Sequence, residues 1–192
     1  MKIYDISQEL LSCDVYEGDP APEGTQIKNV KDDGYNLSCL SLCAHNGTHI
    51  DAPYHFLDDG NTIDKMDISI FAGECYVVSH AGDISEDDAI KMVADAGCPR
   101  ILIKGNATVT SHAASVFANS NMLLVGCEGQ SVGDVNAPAA VHKILLSKNI
   151  ALLEGIILKD VPCGKYFLSC APLNIAGFDG SPCRAILIDF GG

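Results

Sequence analysis

The chain has 192 residues, 47% of them hydrophobic, which suits one core spanning residues 1–192 as a single domain and is too apolar for a disordered segment. A formal charge of −13 with no basic run argues against binding nucleic acid or an anionic membrane, both of which need clustered Lys and Arg. No apolar run approaches the ~20 residues that cross a bilayer, and the start lacks the apolar stretch of a signal peptide, so a cytoplasmic protein is expected.

In chain order, "LSCLSLCA" (37–44) reads as the first apolar strand, followed by "CYVVSH" (75–80). "SEDDAIKMVADAGC" then reads as a helix: Ser85 is a plausible cap, acidic residues fill the first turn, and Gly97 stops it. Ala89, Met92, Val93 and Ala96 share one face of that helix. "RILIKG" (100–105) and "NMLLVGC" (121–127) are further strands, with a short helix as one reading of residues 107–120. "NAPAAVHKILLSKN" (136–149) predicts a second helix capped by Asn136, with Pro138 in its first turn and Lys143 and Lys148 toward its end. "IALLEG" (150–155), "KYFLSC" (165–170) and "RAILIDF" (184–190) complete an alternating α/β pattern without a linker. Nine cysteines form no CxxC pair and have mostly apolar neighbours, which predicts reduced, buried thiols.

The segment "HNGTHIDAPYHF" (45–56) concentrates three of the six histidines. On a helix His45 and His49 would share a face while Asp51 and His55 point away. On an extended chain positions 45, 49, 51 and 55 emerge on one side, but His45 and His49 then lie roughly 13 Å apart, too far to chelate one ion. A bend is needed, and Asn46-Gly47 supplies residues that tolerate positive φ, while Pro53 ends regular pairing before His55. Convergent imidazoles and a carboxylate suit Zn²⁺ or Mn²⁺. His80 and His112, isolated in the sequence, read as ordinary hydrogen-bonded or surface histidines.

The same stretch resembles the HxGTHxDxPxHF signature of the metal-dependent cyclase/kynurenine formamidase family, which includes bacterial arylformamidases and isatin hydrolases. "YDISQEL", "VYEGDP", "LLVGCEGQSVGD", "VHKILLSKNIALLEGI" and "GSPCRAILID" follow in the family's order, so the resemblance covers nearly the whole chain. It implies a swivelling β/β/α fold around a mixed barrel-like sheet, and homodimers or homotetramers with active sites near subunit interfaces. It further implies that His45, His49 and Asp51 ligate the principal divalent ion, with Asp51 able to bridge to a second ion held by His142 and Glu154, and that His55 is the catalytic acid/base. Without it, His142 would read as a helix-surface residue and Glu154 as a strand-end carboxylate.

The implied activity is hydrolysis of a small amide, N-formylkynurenine in the formamidase branch. Tyr16 stands where formamidases commonly place Trp, Glu17 interrupts the family's aromatic-Pro-Gly-Asp turn, and Cys127 and Cys170 replace expected aliphatic or proline residues. These departures leave open hydrolysis of another cyclic amide or lactone. Two other classes are a metal-binding homologue without turnover, which would have no need of a free His55, and a thiol-based protein using Cys43 or Cys127.

Overall fold

The computed structural model describes residues 1–191. The chain enters along β1 (Lys2–Asp5) and throws out a two-stranded ribbon, β2 (Glu23–Lys28) and β3 (Leu37–Ser41), around the single-turn helix α1 (Val30–Asp33). It returns to the body through β4 (His49–Asp51). A β/α alternation follows: β5 (Ala72–Ser79), β6 (Gly82–Ile84), α2 (Glu86–Ala96), β7 (Arg100–Lys104), β8 (Ala107–Val109), α3 (Ser111–Ala118), β9 (Leu124–Cys127), α4 (Ala139–Leu146) and β10 (Ala151–Glu154). The strands β11 (Gly164–Ser169), β12 (Gly180–Pro182) and β13 (Ile186–Asp189) close the chain.

Among the described residues nine strands form one mixed sheet in the order β1-β13-β11-β5-β7-β9-β10-β4-β12. The centre, β5-β7-β9-β10, is parallel because each connection passes through a helix, whereas both flanks pair antiparallel. Both faces of the centre are covered, and successive side chains go to opposite cores. Ile101 and Ile103 join the core beneath the helices, while Leu102 joins the core on the other side. This is the mixed α/β fold with a barrel-like sheet and flanking helices that the sequence leads one to expect. No helix of the described residues is long and apolar enough to cross a membrane.

Local chemistry explains where the helices begin and end. Ser85 Oγ accepts the Asp88 N–H while Asp88 accepts the Ser85 N–H, a reciprocal cap that stabilises α2 by about 1 kcal/mol. Gly97 ends α2 at φ +57°, in the left-handed region. Ala89, Met92 and Ala96 are buried as their spacing predicts, with Val93 at the margin.

Three expectations are corrected or resolved. The last helix starts later than predicted: Pro138 occupies the cap position, and Asn136 lies in a preceding turn where its N–H donates to Asp134 Oδ1 at 2.9 Å. The ambiguous segment 107–120 splits into β8 and α3, with Thr110 capping the helix. The cysteines are all unpaired, but only Cys75, Cys127 and Cys170 are buried, while Cys39 and Cys163 are exposed. Cys39 escapes burial because both faces of the ribbon carrying it look outward.

Candidate metal centre and active site

The site grows out of strand register. β4 is inserted between β10 and β12, with His49 opposite Glu154 and Asp51 opposite Leu152 and Gly180. His49 and Asp51 are two residues apart, so both project to one face, and Glu154 projects there with them. Ile50, between them, fills the opposite core. The face they share is the helix side, and α4 delivers His142 to it, on the same stripe as the buried Leu145 and Leu146.

The result is a buried cluster of two imidazoles and two carboxylates, each at most 4% exposed. His49 Nε2 lies 3.4 Å from Asp51 Oδ1 and 3.6 Å from Glu154 Oε2. His142 Nε2 lies 3.4 Å from Asp51 Oδ2 and 3.2 Å from Glu154 Oε1. Separations near ~3.4 Å are those of neighbouring donors that share an ion at ~2.1 Å. Both rings are turned by their far nitrogens: His49 Nδ1 is 2.9 Å from Gly47 O and His142 Nδ1 is 2.9 Å from Pro138 O. A carbonyl accepts only from N–H, so in the neutral rings both Nε2 lone pairs face the carboxylates. Asp51 Oδ2 is buried with no hydrogen-bond partner among the described residues. An orphaned carboxylate oxygen facing imidazole lone pairs is a donor set that fits a divalent cation.

The electrostatics say the same. Burial opposes ionisation of Asp51, but the imidazoles of His142, His45 and His49 outweigh it and hold its carboxyl well below the usual range. Burial likewise opposes charge on His142, yet Asp51 and Glu154 push it up to about 10. His45, burial again opposing, is raised to about 9 by Asp179 and Asp51. The cluster is short of positive charge, which protons or a metal ion can supply.

His45 and His55 complete the site from outside β4. Gly47, at φ +62°, turns the chain so that the rings of His45 and His49 stand 5.1 Å apart. Asn46 contributes to the bend through its buried side chain: Oδ1 accepts the Cys43 N–H at 2.8 Å and Nδ2 donates to Pro20 O at 3.1 Å. The expected shared strand face therefore applies to His49 and Asp51 alone; His55 sits in a 3₁₀ turn, Pro53–His55. Its ring lies over that of His45, with centroids 4.0 Å apart. His45 Nδ1 is 2.9 Å from Asp51 Oδ1. Asp179, which the sequence did not single out, lies 2.9 Å from His45 Nε2 and 3.2 Å from His55 Nδ1.

All six residues expected from the resemblance thus converge. The sequence carried a signal for His142 that a surface reading ignores: 142 falls on the apolar 141, 145 and 146 face of its helix. The cluster opens into a cavity of about 390 Å³, a volume suited to a small molecule, lined also by Tyr16, Asp19, Cys43, Phe56, Gln130 and Ser131. Tyr16 is anchored there by its hydroxyl donating to Val135 O at 2.7 Å. The carboxylate on this wall is Asp19, while Glu17 is exposed outside it. Cys127 and Cys170 are buried away from the cavity, and burial pushes both thiols well above the ordinary range. His80 and His112 lie outside the site.

The model of the Cyclase family matches residues 4–133. A kynurenine formamidase from Salinibacter ruber is 31% identical over 98% of this chain and 98% of its own. A solved structure described as a "Potential Metal-Dependent Hydrolase With Cyclase Activity" superimposes with a TM-score of 0.83 at 27% identity, over 100% of this chain and 99% of the other. An isatin hydrolase bound to thioisatinate, 18% identical, shares the fold at a TM-score of 0.84 over 97% of this chain and 91% of the other. With the family model spanning more than half of the chain and the full-length relative beside it, the protein belongs to the Cyclase family.

Proposed function

We propose that this protein is a metal-dependent hydrolase of small non-peptide amides, with N-formylkynurenine the first candidate substrate. One observation carries the reading: Asp51 Oδ2 is buried without a partner inside a ring of imidazole and carboxylate donors spaced for an ion. The similarity to a kynurenine formamidase over the full chain supports the amide substrate.

His45, His49 and Asp51 would hold the principal ion, and His142 and Glu154 would complete a site for a second ion beside Asp51. Imidazole and carboxylate together suit Zn²⁺ or Mn²⁺. A divalent cation at this position supplies Lewis acidity, bringing the pKa of water toward ~7 and polarising the substrate carbonyl. His55 lines the same cavity without belonging to the buried cluster, as an acid/base requires. Its Nε2 takes the proton of the attacking water and returns it to the departing nitrogen as the C–N bond breaks, giving formate and the free amine. Tyr16 and Phe56 offer aromatic walls for an aryl group, and Asp19 disfavours an anionic group beside it.

We further propose a cytoplasmic homodimer. Nine unpaired cysteines suit a reducing compartment. The β2–β3 ribbon exposes Ile27, Val30, Tyr35, Leu37 and Leu40, each between 42% and 59% exposed. An isolated two-stranded ribbon is marginal in water, so a second copy covering it is the simplest source of its stability.

The test is hydrolysis of N-formylkynurenine before and after chelation, with Zn²⁺ and Mn²⁺ restored separately and His55→Ala as control. Activity lost on chelation, recovered with one ion and missing in the variant supports the reading. A metal-loaded protein inert toward this amide moves the search to lactams and lactones; one inert toward all of them points to a non-catalytic homologue.

A further inference from the structure

We propose that Asp179 is the positioning residue for His55, holding the proton on Nδ1 so that Nε2 stays bare toward the cavity. The inference deepens the acid/base role proposed above and rests on it. Asp179 Oδ2 lies 3.2 Å from His55 Nδ1, and among the described residues Nε2 of His55 makes no hydrogen bond. A carboxylate can only accept, so it fixes the tautomer as Nδ1–H. The same oxygen lies 2.9 Å from His45 Nε2, which in the neutral ring directs the His45 Nδ1 lone pair toward Asp51. One carboxylate therefore sets the ring orientation of both a cluster donor and the acid/base.

The surroundings hold Asp179 for that task. Its carbonyl accepts the Ala52 N–H at 2.9 Å, and the preceding carbonyl, of Phe178, accepts the Ile63 N–H at 2.8 Å, so the loop is fastened to the segment carrying His55. The next residue, Gly180, leaves room for the His45 ring: a Cβ there would stand 2.7 Å from His45 Cε1 and 2.7 Å from Ile50 O. The pair Asp179-Gly180 thus supplies an acceptor and a space side by side.

The test follows the tautomer of His55 by long-range ¹H–¹⁵N correlation in Zn²⁺-loaded protein labelled with [¹⁵N]histidine, assigned with His55→Gln. The wild type is expected to show a protonated Nδ1 and a bare Nε2. In Asp179→Ala the proton moves to Nε2, and Asp179→Leu, which keeps the bulk without an acceptor, does the same should alanine not fold. Because Asp179 also orients His45, zinc binding weakens as well, so rates are compared at saturating Zn²⁺, where kcat falls about 100-fold or more and KM changes by less than about threefold. Asp179→Asn, retaining an acceptor oxygen, regains about tenfold of the lost rate. An unchanged tautomer in the alanine and leucine variants, or a rate restored to that of the wild type by saturating zinc, overturns the proposal. The spectrum needs no substrate, so a protein inert toward every amide would discard the acid/base role while leaving the carboxylate's hold on the ring measurable.

Discussion

The β4–β10 junction and the β2–β3 ribbon are both antiparallel pairs, yet they use pairing for opposite ends. At the junction, three residues of β4 lie between two neighbours, and every side chain is buried. In the ribbon, ten of the eleven residues of β2 and β3 pair with each other, Ile27 standing out at a register shift, and all but Lys28 are exposed. Burial makes polar chemistry expensive unless each group is matched, so the junction is where an orphaned oxygen carries meaning. Exposure makes apolar surface the anomaly, so the ribbon is where uncovered Leu40 and Tyr35 carry it.

The contrast can be broken most severely at the junction. Glu154→Ala removes two of the oxygens that face His49 and His142, and amide hydrolysis is expected to fall at least about 10³-fold, read as kcat/KM with bound metal quantified in parallel. Without metal, only imidazole protons balance the buried carboxylates. Restoring it at 100 to 1,000 times its Kd should stabilise the fold by about 2.7–4.1 kcal/mol, seen as a rise of roughly 5–15 °C in melting temperature. Gly180→Ala drives a methyl group into the His45 ring and the Ile50 carbonyl, and a displacement of that kind should cost about 10²-fold in kcat. The smallest effect belongs to the ribbon. Leu40→Ser should change the unfolding free energy of dilute protein by no more than about 0.5 kcal/mol, while shifting a sizing column from dimer to monomer. A Leu40→Ser protein that remains dimeric would assign the subunit contact to another surface.

The sequence was legible where physics is local. Ser85 and Gly97 bracket α2 because a cap and a left-handed stop act within a few residues. His49 and Asp51 share a face because alternation needs only a strand of three. Parity failed for His45 and His55, which reach the same cavity through a turn at Gly47 and a 3₁₀ turn after Pro53. The run "IALLEG" read as a strand, but nothing within it says that its terminal carboxylate meets a histidine on β4. His142 and Glu154 were placed by family resemblance, since their partners lie far away in the chain. Asp179 had no signal at all: it sits on a loop, one acidic residue among many, and gains its role only when the chain closes 134 positions back on His45.

The most direct test of the central claim is the number of Zn²⁺ or Mn²⁺ ions bound per chain, measured by native mass spectrometry on stripped and reloaded protein, with Asp51→Asn alongside. The account predicts one or two ions per chain in the wild type, bound in step with the return of amide hydrolysis, and a loss of both in Asp51→Asn. A stripped wild-type protein that hydrolyses the amide at full rate, or an Asp51→Asn protein that binds as many ions as the wild type, would contradict it.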